Sequence, residues 1–313
     1  MQPRNRLAYN DVNAAKANFD SIYTASDPRE YFRVLFGVDY IIPDLAKGVF
    51  QNVIAALEQK HQRRIRVLDL GCSFGINAAL IRFPLDINRL AQRYVDLQSA
   101  GLTTGELIQL DRHYFRSWPK LDVEIIGCDV SEPAINYARE VGLIDHGVVG
   151  NFEDGRVSGA ARDLLRGVDL IISTGSVGYV TGRTFARILD AIEQPAPWVC
   201  SFVLRMFPYA AISSLMGEIG LVTEKLQGVT FVQRRFHSET ECRQVIAELE
   251  TQGIDPRNKE ADGLLHAELF LSRPADDLGK HPLEELVSVT SGASRPFGRR
   301  FRRGDDAVIR LVR

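Results

Sequence analysis

Cysteine is scarce in this chain of 313 residues: four in all, at positions 72, 128, 200 and 242, with no two of them forming a C-x-x-C pair. Such spacing carries neither a zinc cluster nor a disulfide framework, and no metal site is expected. No apolar run reaches the ~20 residues needed to cross a bilayer, and no secretory signal stands ahead of residue 65. Charge of neither sign dominates, with 38 Lys and Arg against 40 Asp and Glu for a net charge of −2. A sequence-independent hold on nucleic acid or anionic lipid is therefore not expected. What remains is an ordinary soluble composition, 45% hydrophobic and 25% charged. The length suits one large α/β domain with elaborations, or two small domains, in a reducing, cytoplasmic setting.

The most informative stretch is Ile65-Arg-Val-Leu-Asp69-Leu-Gly71-Cys-Ser73-Phe-Gly75. A β-branched apolar run ends in Asp69 and turns through two glycines into the helix-like Ile76-Asn-Ala-Ala-Leu80. A strand that stops in a glycine loop and restarts as a helix brings bare backbone close to a ligand. The dinucleotide fingerprint is not met, since it needs a third glycine where Ile76 stands.

Strand-like and helix-like segments then alternate, which predicts a parallel sheet with helices on both faces. Strands are expected at Asp122–Cys128, His146–Gly150, Val168–Ser173, Pro197–Leu204 and Leu264–Leu271, with a strand-like run at Thr230–Phe236. Ser131-Glu132-Pro133 opens a helix with a cap and a first-turn proline, and another helix is expected over Arg183–Ile192. Thr103-x-x-Glu106 and Ser238-x-x-Glu241 both read as capping boxes. Three regions stand outside the alternation: an aromatic-rich helical cap at 1–64, a helical insertion at 84–120, and a polar, finally Arg-rich tail at 273–313 expected to be flexible.

Asp69-x-Gly71-x-x-x-Gly75 resembles motif I of the class I S-adenosylmethionine-dependent methyltransferases, with Ser73 in place of the middle glycine. The resemblance covers 65–205 well and 206–272 loosely. It implies a Rossmann-like, seven-stranded, mostly parallel sheet over 65–272 and S-adenosylmethionine as cofactor. Asp69, Gly71, Ser73 and Gly75 would then form the cofactor loop. Asp129, beside Val130, would accept hydrogen bonds from both ribose hydroxyls; its plainer reading is a cap for the next helix. Asn151 and Phe152 would meet the adenine, or else be a turn residue beside a core aromatic. Thr174 and Gly175, in the loop running to Tyr179, would lie at the methionine end, with Tyr23, Tyr31 and Phe32 as parts of a lid or of the core.

For the acceptor side, His237 is a candidate base and Tyr179 a neighbour of the sulfonium through its aromatic face. Arg205 would pair either with an acceptor carboxylate or with an acid of the protein itself. His266, inside an apolar strand, reads as a core histidine. The loop after the fourth strand lacks the N-P-P-Y or D-P-P-Y signature and the Pro-Cys nucleophile of DNA-base enzymes, so a small-molecule acceptor is expected. Alternatives are a protein or RNA methyltransferase, a non-catalytic cofactor-binding protein, and an NAD(P)-dependent oxidoreductase.

Overall fold

The computed structural model describes residues 20–98, 100–289, 301–303 and 309–311. Its centre is a sheet of β1 (Arg66–Leu70), β2 (Glu124–Asp129), β3 (His146–Val149), β4 (Leu170–Thr174), β5 (Trp198–Leu204), β6 (Leu221–Lys225), β7 (Phe231–Arg235) and β8 (Leu264–Pro274). The order is β3-β2-β1-β4-β5-β8-β6, parallel through β5 and antiparallel at β8. Both β6 and β7 pair with β8, β6 along its final residues and β7 along its first. They are two lengths of one interrupted edge strand, so the eight strands fill the seven expected positions.

The central strands are buried on both faces, which is why they read as continuous apolar runs. Alternate residues feed two cores. Val67, Ile125, Leu170 and Phe202 face one, and Leu68, Ile126, Ile171 and Val203 the other. The first face carries α3 (Ile42–His61), α4 (Ile76–Arg82) and α7 (Glu132–Val141). The second carries α8 (Gly159–Leu165), α9 (Gly182–Ile192), α10 (Ala210–Glu218) and α11 (Glu239–Thr251). The elements α8, α10 and β6 have no counterpart among the sequence-based expectations.

The insertion consists of α5 (Ile87–Gln98) and α6 (Thr104–Arg116). The predicted box at Thr103 is complete, its hydroxyl taking the Glu106 N–H and Glu106 reaching back to the Thr103 N–H. Asp111, fully buried, accepts from the Tyr94 hydroxyl at 3.0 Å, from Arg93 at 2.7 Å and from the Tyr137 hydroxyl. That carboxylate ties α5, α6 and α7 together. The second box is only half formed. Ser238 caps the Glu241 N–H, but the Glu241 carboxylate turns to the His237 N–H and to Arg234.

Ahead of the sheet lie α1 (Asp20–Tyr23) and α2 (Arg29–Phe36). Phe32 of α2 stacks on Tyr94 with ring centroids 4.6 Å apart. The next residues run along the outer side of β7: Ile41 N–H donates to the Gln233 carbonyl, and Arg235 N–H to the Val38 carbonyl, both at 2.8 Å. The open edge is thereby covered.

The first part of the expected flexible tail is instead packed against the body. After α12 (Ala275–Leu278), Leu283, Leu286, Val287 and Val289 are buried in the first core. Buried Asp277 accepts from Lys60 Nζ at 2.5 Å and from Trp198 Nε1 at 3.2 Å. Polar composition hid this because a few well-spaced apolar residues anchor the segment. β9 (Ser288–Val289) pairs with β11 (Ile309–Leu311), which pairs with β10 (Phe301–Arg303). The arginines at 295, 299 and 300 lie outside the described residues.

Candidate active site

The carboxyl ends of β1, β2 and β4 bring together most of the expected cofactor residues. Asp69 ends its run fully buried. Asn77, the second residue of α4, donates to Asp69 Oδ1 at 2.9 Å and to Thr174 Oγ1 at 3.1 Å, linking the ends of β1 and β4. Burial raises the Asp69 carboxyl to about 7, with the nearby Asp129 charge adding to the effect and the Asn77 hydrogen bond opposing it. Sequence reasoning passed over Asn77; its one mark is a polar residue amid the apolar start of the helix.

Gly71 sits at φ +77°, and a Cβ there would meet the Ser176 Cβ at 2.7 Å. Glycine is thus required both by conformation and by the approach of the β4 loop. Ser73 takes φ +48°. The middle position of the motif demands a left-handed backbone here, and serine supplies it at a cost of about 1–2 kcal/mol. What that turn achieves is a hydrogen bond: the Ser73 N–H donates to Asp129 Oδ2 at 2.8 Å. Asp129 Oδ1 accepts the Ser131 N–H at 3.0 Å, and Ser131 caps α7 through the Ala134 N–H. The two readings of Asp129, helix start and ligand acceptor, are compatible because each carboxylate oxygen keeps a second lone pair. Val130 beside it is 68% exposed, a bare apolar surface at the same strand end.

Farther along, Asn151 Oδ1 accepts the Glu153 N–H at 3.0 Å in a turn, while Phe152 is buried in the second core. Glu153 takes Thr181 N–H at 2.7 Å and Thr184 Oγ1 at 2.6 Å, which fixes the β3 loop to the start of α9. In the β4 loop Ser173 and Ser176 share a 2.5 Å hydrogen bond, and Tyr179 stands 49% exposed at its tip.

Above these loops lies an aromatic cluster from the N-terminal segment. Tyr31 makes edge contacts with Tyr23 at 5.9 Å, Tyr40 at 6.3 Å and Phe74 of the β1 loop at 6.0 Å. Burial pushes the Tyr23 and Tyr31 hydroxyls well up and Tyr40 to about 12. The Tyr23 carbonyl accepts from Ser131 Oγ at 2.6 Å. Of the expected lid residues, Tyr31 and Phe32 are core, and Tyr40 joins the cluster without having been anticipated.

The expected acceptor-side residues are more dispersed. Arg205 pairs with buried Glu260 and donates to the Asp255 carbonyl at 2.9 Å, so of its two readings the internal ion pair is the one formed. His237 is exposed, with its backbone N–H on Glu241 Oε2 at 2.8 Å. His266 Nδ1 meets Thr230 Oγ1 at 3.0 Å, and burial lowers its imidazole to about 4, as suits a neutral core histidine. Among the described residues no group of three or more His, Cys, Asp and Glu side chains is arranged to hold a metal ion.

A sheet ordered β3-β2-β1-β4-β5-β8-β6 with antiparallel β8, carrying a glycine loop after β1 and an acid at the end of β2, decides the architecture. The fold is the class I methyltransferase fold. No protein-family model matches the sequence, and no curated protein does. Solved structures similar to the chain include the plantazolicin methyltransferase BpumL with a pentazolic desmethylPZN analog and SAH, at 12% identity and TM-score 0.44, over 88% of this chain and 100% of that one. The plantazolicin methyltransferase BamL has 12% identity and TM-score 0.43, over 86% and 97%. A TehB-like SAM-dependent methyltransferase from Corynebacterium glutamicum has 14% identity and TM-score 0.34, over 70% and 86%.

Proposed function

We propose that this chain is a methyltransferase that uses S-adenosylmethionine and acts on a small-molecule acceptor. The observation that carries the reading is the Asp129 clasp, in which one carboxylate gathers the β1 loop and the α7 start around the end of β2. The residues also fit the cofactor in what they leave undone: Asp69 Oδ2 and Ser73 Oγ are buried without a hydrogen-bond partner among the described residues. Buried polar atoms in native folds are nearly all satisfied, so orphans converging on one loop suit a polar ligand.

When bound, the cofactor supplies an activated methyl group for in-line displacement. The protein's part is to hold and align. Asp129 accepts from the ribose hydroxyls, the Gly71–Gly75 backbone accommodates the methionine portion, and Val130 offers an apolar face for the base. The tyrosine cluster excludes water, which helps an alignment-governed reaction. Tyr179, exposed beside this cluster, is the proposed neighbour of the acceptor. His237 is the proposed base where the acceptor carries a proton. Asn151 and Phe152 stay at the adenine end in this proposal, with Phe152 acting as a wall. Arg205 is assigned to the fold rather than to the acceptor.

Calorimetry tests this directly. The protein is expected to bind S-adenosylhomocysteine and not NADH, and Asp129→Ala to weaken that binding about ten- to a hundredfold. Binding of NADH alone, or an unchanged affinity in the variant, overturns the reading.

A further inference from the structure

β7 is not a regular strand. Its pairing runs Phe231 to Ala267 and Val232 to His266, then Arg234 to Leu265 and Arg235 to Leu264. Gln233 has no opposite residue and is the extra residue of a β-bulge. Bulges turn a side chain away from the face that alternation would give it, and they concentrate beside functional sites. Gln233 is 3% exposed. Its carbonyl is held by the Ile41 N–H, which fixes the backbone, while its Oε1 is buried without a hydrogen-bond partner among the described residues. The carboxamide presses on the β4 loop: a Cβ added to Gly175 would lie 2.6 Å from Gln233 Nε2. Glycine at 175, itself at φ +72°, leaves room for that amide.

The other orphan acceptor at this loop is Asp69 Oδ2, tied to Thr174 through Asn77. Two unpaired buried acceptors thus flank Thr174 and Gly175, one from the β1 side and one from the β7 side. Neither has a donor among the described residues, and an ammonium group offers three.

We infer that the Gln233 carboxamide is a cofactor-binding group that receives the amino-acid end of S-adenosylmethionine. Its oxygen, together with Asp69 Oδ2, accepts from the ammonium, and its N–H₂ donates to the carboxylate. A carboxamide suits such a zwitterion because it carries an acceptor and donors in one plane. The inference rests on the cofactor reading above and adds to it a residue outside the motif loops.

The test compares two ligands by calorimetry: S-adenosylhomocysteine, and 5′-methylthioadenosine, which keeps the adenosine and thioether but lacks the amino-acid end. Gln233→Leu is expected to weaken S-adenosylhomocysteine binding about tenfold or more, as loss of hydrogen bonds to charged groups does, and to leave methylthioadenosine binding unchanged. The unchanged ligand also reports that the variant is folded. Should the leucine variant fail to fold, Gln233→Asn withdraws the amide by one methylene and is expected to show the same selective loss. Equal effects on both ligands, or none on either, overturn the role of Gln233 while leaving the cofactor reading in place. A wild-type protein that binds neither ligand overturns the cofactor reading and this inference together.

Discussion

A carboxyl group in water ionises near 4, but Asp69 is walled off by the core beneath the loop and rises to about 7. Folding therefore raises its affinity for a proton, and the sign of the linkage follows. The stabilising contribution is fully present below the unfolded value near 4 and is lost as pH climbs through 7. In the ligand-free protein this site alone is expected to make stability at pH 8 roughly 2–3 kcal/mol lower than at pH 5. Urea denaturation at the two pH values measures it, and Asp69→Asn should remove most of the difference. A variant whose pH dependence matches the wild type would show that Asp69 is not the titrating group. Other residues of the site hold their places by backbone demands. Ser73 tolerates a left-handed conformation so that its N–H can reach Asp129, and that trade is invisible until φ is known.

Elements formed from strong apolar runs follow the sequence closely. Asp69 is the penultimate residue of β1 and Asp129 the last of β2, and the Thr103 box starts its helix as the spacing implies. The bulge was not legible, because Phe231-Val-Gln-Arg-Arg235 carries no glycine or proline to mark an extra residue. Nor does spacing reveal that Glu241 abandons its own capping box. Its carboxylate instead makes a buried pair with Arg234, at 2.6 Å and 3.0 Å, immediately after Gln233. The pair braces the bulged strand against α11, and both side chains are almost wholly buried. Glu241→Ala is expected to destabilise the protein by about 3–5 kcal/mol, since Arg234 then keeps its burial and loses its main counter-charge. A loss below about 1 kcal/mol in chemical denaturation would mean that the guanidinium finds water or another acid.

Across the whole molecule, the sheet joins segments that composition alone would separate. The residues after 274 belong to the first core through Leu283, Leu286, Val287 and Val289 and through Asp277. Removing 275–313 is therefore expected to lower the Tm by roughly 10 °C, from the loss of four buried apolar side chains and a buried acceptor. An unchanged Tm would mean that the segment adds nothing to the body. The N-terminal cap has a comparable reach. It is fastened at one end to Ser131, just past β2, and at the other to β7, on the opposite side of the sheet. Between those two points lie the carboxyl ends of β1, β4 and β5 and the amino end of the antiparallel β8. Were the proposed cofactor to sit beneath this strap, its release would require one of these fastenings to open first. Residence time and the fraying of the first helices then become one process, so that tight binding would also appear as resistance of the N-terminal region to proteolytic nicking.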